Sequence, residues 1–325
     1  VSRQNCFMVY RLCWYSFMGS EKPKIVIILG PTAVGKTDLA LGLASEFNGD
    51  IISADSMQVY RHLDIGTSKP SPQERERVPH HLIDVVNPDE EFSAARFNEM
   101  ARGIIGDLEG RKAVFVVGGT GLYVRTLTGG LIEGSDAELR KRYREALERE
   151  DGVSLYGRLR QLDAPAAERI HPRDKVRIVR ALEEAELTGE PISAKQRRHG
   201  FRDIRYEALR IGLYRDREEL YRRIDSRAAQ MVEAGLVGET EKILRMGYHE
   251  KLKPLQTLGY RHFIRHLKGG ATLEEALQSM QRDTRHYARR QMTWFRGESA
   301  IEWFHPSEAD AVRTRVAAFL RRRPG

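Results

Sequence analysis

The chain predicts an α/β fold: a parallel β-sheet flanked by helices, with an inserted all-helical subdomain and a helical carboxyl-terminal region. Three observations predict it. Short apolar runs alternate with helical patterns through the first half. A glycine-rich loop joins the first apolar run to the first helix. From about Leu131 to His199 the pattern is helical and heavily charged, with no convincing strand.

The first strand is Lys24–Leu29, a β-branched run suited to burial on both faces. It leads into GPTAVGKT, the residues Gly30, Pro31, Thr32, Ala33, Val34, Gly35, Lys36 and Thr37. Strand, glycine turn and helix in that order make a phosphate-binding loop, so the sheet is expected to be P-loop NTPase-like. The glycines let the backbone curl until successive N–H groups face phosphate oxygens. The helix opening at Lys36 and running to Phe47 adds its positive end; Lys36 reaches the outer phosphate, and the Thr37 hydroxyl is placed for Mg²⁺. The ligand carries a di- or triphosphate, and the loop leaves open which of its bonds breaks.

A second short strand, Asp50–Ser53, precedes a turn carrying Asp55. After a loop with Pro70, Pro72 and Pro79, a helix runs from about Ala94 to Leu108, and Ala113–Val117 is a further apolar strand ending in Gly118, Gly119 and Thr120. Ligands of parallel sheets sit outside the carboxyl ends of the strands, so the phosphate loop, Asp55 and the Gly118–Thr120 turn should meet at one edge. There Asp55 is a metal ligand, a proton acceptor or a turn cap. The central strand ends in glycine where a motor-type NTPase carries an acid.

In the helical insertion, Arg173, Arg177 and Arg180 form a basic stripe beside an apolar face of Ile178, Ala181, Leu182 and Ala185. Ala208–Leu213 returns to the sheet. A helix then starts at a capping box of Asp216 and Glu219 and stops near Gly235, with Leu220, Ile224, Ala228 and Met231 inward and Arg223 and Arg227 beside them. The remainder is helical to about Phe295, broken by a turn at Leu258–Arg261. Its last part sets Arg282, Arg285 and Arg289 on one face, with Tyr287, Trp294 and Phe295 interleaved. Such a surface attracts phosphates and stacks unpaired bases, or else buries its aromatics and exposes only arginine.

Composition bounds the class. A charged fraction of 31% and a hydrophobic fraction of 41% fit a soluble globular protein. The net charge is +8, and from Gln256 onward 13 Lys/Arg face 7 Asp/Glu, so a polyanionic partner is expected. Cys6 and Cys13 both lie in the leader, so the body has neither disulfides nor thiolate zinc sites. The ten histidines show no metal spacing. Residues 1–21 read as a leader outside the fold, with Met18 the expected first residue. No membrane segment is expected, and cytoplasm is the default. The expected organisation is 22–130 for the first part of the core, 131–199 for the insertion, 200–310 for the second part of the core and 311–325 for a basic tail.

These segments resemble the bacterial tRNA dimethylallyltransferases, which prenylate an adenosine beside the anticodon. The resemblance spans about Lys22 to Arg296. It rests on GPTAVGKT (30–37), SADSMQVYRHLDIGTSKP (53–70), VVGGTGLYV (116–124), DKVRIVRALE (174–183), LGYR (258–261) and RRQMTWFR (289–296). It implies that dimethylallyl diphosphate is the donor and N6 of adenosine 37 the acceptor. Asp55 would take the amine proton; Lys36, Mg²⁺ on Thr37 and Arg227 would stabilise the departing diphosphate. By the same resemblance, tRNA contacts fall to Asp55, Ser56, Met57, Gln58, Thr120, Arg140, Val176, Arg177, Ile178, Val179 and Arg180. They continue at Gln256, Thr257, Leu258, Gly259, Tyr260, Arg261, Arg289, Arg290, Gln291, Met292, Thr293, Trp294, Phe295 and Arg296. A monomer is the default.

Two other readings use the same residues. A small-molecule kinase would bind ATP on the loop and use Asp55 against an alcohol. A non-catalytic or NTP-hydrolysing nucleic-acid binder would use the basic helix alone. The first has no need of a basic-aromatic helix, and the second lacks its strand-end acid.

Overall fold

A computed structural model describes residues 22–130, 143–147, 149–200, 203–298 and 300–321. Arg140, the leader through residue 21 and the last four residues lie outside that set. The chain divides into two compact units, one made of the segments before Thr128 and after Ile204, the other of Thr128–Ile204.

The larger unit is built on a six-stranded parallel sheet of order β3-β2-β4-β1-β5-β6. The strands are β1 (Lys24–Leu29), β2 (Gly49–Ser53), β3 (His80–His81), β4 (Ala113–Gly118), β5 (Glu207–Leu213) and β6 (Ile301–Phe304). Its helices are α1 (Lys36–Glu46), α2 (Pro72–Arg77), α3 (Ala94–Leu108) and α4 (Gly121–Gly129), the last of which reaches the division between the units. The smaller unit holds α5 (Gly152–Leu162), α6 (Ala164–Arg169), α7 (Lys175–Thr188) and α8 (Ile192–His199). The larger one resumes with α9 (Arg217–Glu233), α10 (Leu236–Arg245), α11 (Tyr260–Leu267), α12 (Leu273–Arg296) and α13 (Ala309–Arg321).

β1 is central, with Val26 opposite Phe115 of β4 on one side and Leu209 of β5 on the other. Its side chains alternate between two cores. Ile25, Ile27 and Leu29 join Phe97, Val116, Tyr260 and Phe295 on one face. Val26 and Ile28 join Leu41, Phe115, Ile211 and Phe319 on the other. Each such burial contributes roughly 1.5–3 kcal/mol, which explains why the strand is apolar from Ile25 to Leu29.

Three expectations change. Residues 311–321 belong to α13, which follows β6, rather than to a basic tail, because Val312, Val316 and Phe319 recur at helical spacing and are buried on the second core. Their basic neighbours hide that face in the composition. α9 does start after Asp216, but no side-chain cap forms; Glu219 is drawn to Arg215 and His305 instead. The proline-rich loop contains α2, with a capping box of Ser71 and Glu74, and the edge strand β3.

In the smaller unit, Leu155, Leu159, Ile178, Val179 and Leu182 form a separate core. Arg173 precedes the α7 cap at Asp174 and so is not on the helix. Glu184 is buried and pairs with Lys195 at 2.6 Å and Arg180 at 3.1 Å.

Candidate active site

The phosphate loop leaves the carboxyl end of β1 through Gly30, at φ +148°, where a Cβ would lie 2.7 Å from the Leu213 carbonyl oxygen. Ala33 and Gly35 also take positive φ, and Gly35 caps α1. The loop carbonyls are held by cations. Arg223 Nε donates to Ala33 O and Arg215 Nε to Val34 O, both at 2.9 Å. Lys36 Nζ donates to Gly30 O at 3.0 Å and Pro31 O at 2.8 Å. Among the described residues the N–H groups of Ala33 to Thr37 have no acceptor in the chain. Carbonyls held by cations and N–H groups left at a helix start make an anion cradle.

Asp55 stands beside it, as the strand order requires. Ala54 N donates to Val117 O at 2.8 Å, and Gly118 must be glycine because a Cβ would sit 2.1 Å from Ala54 O. Asp55 Oδ1 accepts from Met57 N at 2.8 Å, so one oxygen caps the turn while the carboxylate still lines the cavity. Ser56 N donates to Thr120 Oγ1 at 3.1 Å; Thr120 therefore braces the Asp55 turn. The cap and the functional reading of Asp55 coexist in one side chain.

The cavity at this edge measures about 990 Å³ and is lined by Lys36, Thr37, Asp55, Gly119, Arg223 and Arg227, with Met57, Ile224, Met231, Leu258 and Met280 giving it an apolar side. Arg227 Nε donates to Ser68 Oγ at 3.1 Å. Lys36 keeps some solvent contact as a residue, yet the atoms packed around its ammonium lower its pKa to about 7. The nearby Arg227 cation acts the same way, and Asp55 opposes both. Burial also lowers Arg227, with Asp55 and Asp38 raising it. Tyr287 is pushed up to about 12, by burial first and then by Asp55. These groups share one electrostatic neighbourhood. A smaller cavity of about 430 Å³ lies elsewhere, around Lys24, Asn48, Arg111 and Arg321, and includes none of them.

One residue important to this geometry, Glu239, carries no local signal. Glu239 accepts N–H bonds from Asp64 at 3.0 Å, Ile65 at 2.8 Å and Gly66 at 3.1 Å, fixing the loop that delivers Thr67, Ser68 and Lys69 to the cavity. Gln58 Nε2 donates to Thr67 O and Ser68 O. Lys69 is buried between Asp64 and Asp84 at 2.7 and 2.6 Å. In the sequence this loop shows only as part of the 53–70 segment that carries the family resemblance.

The residues assigned to RNA by resemblance divide by exposure. Arg289, Arg290, Thr293, Trp294 and Arg296 lie on the open face of α12, and these three arginines have no carboxylate partner among the described residues. Arg125 lies 4.4 Å over the Trp294 ring. Arg285 instead pairs with Asp225 at 2.6 Å, and Met292 is half-buried. Gln291 and Phe295 are buried, which corrects any reading of the whole RRQMTWFR run as surface. Gln256 and Arg261 are exposed, Thr257 and Leu258 are half-buried and line the cavity, and Gly259 and Tyr260 are buried. In the smaller unit Val176 and Arg177 are exposed, Arg180 is tied to Glu183 and Glu184, and Ile178 and Val179 are core. Among the described residues, no three His, Cys, Asp or Glu side chains cluster as a metal cage, and no helix is long and apolar enough to cross a membrane.

The chain is similar to known proteins along most of its length. The profile described as IPP transferase matches residues 58–298. A tRNA dimethylallyltransferase 2 from Syntrophus aciditrophicus is 50% identical over 304 residues, covering 93% of this chain and 98% of that one. Another, from Geotalea uraniireducens, is 51% identical, covering 90% and 96%. Among solved structures, the tRNA isopentenylpyrophosphate transferase of Bacillus halodurans aligns with TM-score 0.68 at 38% identity over 92% of this chain and 97% of that one. A eukaryotic dimethylallyltransferase acting on tRNA aligns with TM-score 0.79 at 30% identity, covering 93% and 80%.

Proposed function

The chain belongs to the IPP transferase family, and from that premise we infer that it is a tRNA dimethylallyltransferase. It moves the dimethylallyl group from dimethylallyl diphosphate to N6 of adenosine 37, on the 3′ side of the anticodon, giving N6-dimethylallyladenosine. One observation carries the residue assignment: the loop cradle, Asp55 and an apolar wall face a single cavity.

The cradle of Ala33–Thr37 N–H groups receives the diphosphate, and Lys36 and Arg227 balance its charge. The apolar side takes the allyl chain, which orients its first carbon toward Asp55. The N6 lone pair is delocalised into the adenine ring and attacks weakly. As the N–C bond forms and the C–O bond breaks, the bonding electrons leave on the diphosphate and the N6 proton passes to the Asp55 carboxylate. The Thr37 hydroxyl and the Asp55 carboxylate line the same cavity, whose wall also carries the carboxylates of Asp38 and Glu74. Oxygen donors of this kind fit Mg²⁺, which binds through one or two protein groups and completes its shell with phosphate oxygens and water. When bound, Mg²⁺ supplies Lewis-acid neutralisation of the leaving diphosphate.

The acceptor base must leave its stack to reach this depth. Arg289, Arg290 and Arg296 supply positive charge for the RNA backbone and Trp294 a stacking face; Arg177 and Val176 are the exposed candidates in the smaller unit. The working form is a monomer in the cytoplasm.

Mass analysis of an anticodon stem-loop incubated with the protein, Mg²⁺ and either dimethylallyl diphosphate or ATP tests the reading. A prenyl increment with the allyl donor is expected. A phosphate increment with ATP, or no change with either, contradicts it.

A further inference from the structure

Gln291 sits on α12 directly after two exposed arginines, yet it is only 7% exposed. Ala288 and Phe295, three residues before and four after, are buried on the same inward face. Its amide spans two loops. Thr32 N donates to Gln291 Oε1 at 2.9 Å, and Gln291 Nε2 donates to Gly119 O at 3.0 Å. One partner is a donor and the other an acceptor, and the carboxamide in this orientation satisfies both; an ionised carboxylate, which only accepts, does not. A Cβ at Gly119 would stand 2.3 Å from Nε2, so the glycine leaves the space that the amide uses.

We propose that Gln291 is a positioning residue for the donor. From the inward face of the arginine-bearing helix, it locks the first half of the phosphate loop to the turn after β4. That lock fixes the direction of the N–H groups from Ala33 to Thr37 and takes the Thr32 N–H out of the anion cradle. The proposal rests on the reading of this loop as the diphosphate site. Pre-set N–H groups bind an anion without reordering at the moment of binding, so loss of the lock weakens donor binding. The arginines on the outer face keep their place, so RNA binding is untouched.

The test uses Gln291→Met, similar in length and lacking both polar atoms, and Gly119→Ala, which pushes the amide away while leaving Gln291 in the chain. Each is measured for steady-state turnover with dimethylallyl diphosphate and an anticodon stem-loop, for binding of inorganic pyrophosphate, and for RNA affinity without donor. Losing two hydrogen bonds raises donor KM and pyrophosphate Kd by roughly tenfold in each variant, from the usual net worth of such bonds. RNA affinity stays at the wild-type value, and kcat changes far less than KM. The two-variant design separates this from general destabilisation, since Gly119→Ala keeps the native Gln291. Equal donor KM and pyrophosphate affinity in wild type and variants overturn the proposal alone. Weakened RNA binding of the same size in the absence of donor also overturns it, because Gln291 is then an RNA contact. A wild-type chain that binds neither pyrophosphate nor the allyl donor overturns the loop reading, and the proposal with it.

Discussion

The Tyr260 hydroxyl donates to Glu239 at 2.6 Å, and the same carboxylate accepts three backbone N–H groups from Asp64, Ile65 and Gly66. Two residues distant in sequence from residues 64–66 thereby hold the loop that brings Ser68 to Arg227. Burial raises the Tyr260 pKa and the Glu239 carboxylate raises it further, so the phenol stays a donor. Gly66 completes the contact, since a Cβ there would lie 2.5 Å from the Tyr260 ring.

Removing the carboxylate leaves three N–H groups and one hydroxyl without their acceptor. Glu239→Ala is expected to destabilise by roughly 2–4 kcal/mol, whereas Tyr260→Phe costs about 1–2 kcal/mol. Urea unfolding of both variants measures the difference. Equal midpoints for wild type and Glu239→Ala would show that the loop is anchored elsewhere.

Asp55 both caps its turn and faces the cavity, so the informative change is Asp55→Asn, which keeps an oxygen for Met57 N. Loss of a general base lowers kcat by roughly 10²–10⁴-fold. Thermal stability and tRNA affinity should hold. Near-normal turnover in this variant rules out proton acceptance by Asp55.

Arg227→Ala removes a cation and its bond to Ser68. A charge-assisted bond to diphosphate is worth about 1.5–3 kcal/mol, so donor KM should rise roughly tenfold to a hundredfold with smaller effect on RNA affinity. Steady-state kinetics with varied donor check this; an unchanged KM removes Arg227 from the donor site.

Lys36 gives a pH dependence. Its pKa is lowered from 10.5 to about 7, first by burial and then by Arg227. Below that value the ammonium is charged and attracts diphosphate; above it the amine is neutral. Donor affinity should therefore fall as pH rises through about 7, and binding should take up a proton there. The sign for folding is opposite. Between about 7 and 10.5 the unfolded chain holds the extra proton, so this group makes stability rise with pH across that window. Calorimetry of donor-analogue binding in two buffers of different ionisation enthalpy reports the proton; no uptake contradicts a depressed Lys36.

Neutralising Arg289 and Arg290 together should weaken tRNA binding and flatten the dependence of log affinity on log salt by about two units of slope. A filter-binding series over salt concentration checks it. An unaltered slope means that the outer face of α12 does not meet phosphates.

Much of this was legible in the chain because the signals are local. β1, the phosphate loop and α1 follow from residues 24–46 alone, and parallel strand order then brings Asp55 and Gly118 to the same edge. Glu239, Arg215 and Gln291 were not legible as loop anchors. Each acts on backbone more than 170 residues away, and no spacing rule connects a glutamate on α10 with N–H groups at 64–66. The basic-aromatic helix was read in outline, but its inward and outward faces needed the packing: Trp294 is half open while Phe295 is 1% exposed. β6 was missed for the same reason, being four residues long and defined only by pairing with β5.

The central claim is that the cavity grips a diphosphate so that carbon, not phosphorus, is attacked. The most direct measurement uses dimethylallyl diphosphate carrying heavy oxygen in the bridge between the allyl carbon and the first phosphorus, turned over with an anticodon stem-loop. Attack at carbon sends the label out in the released diphosphate, and that is the expected result. Label retained in dimethylallyl alcohol, with the diphosphoryl group transferred to RNA or water, contradicts it.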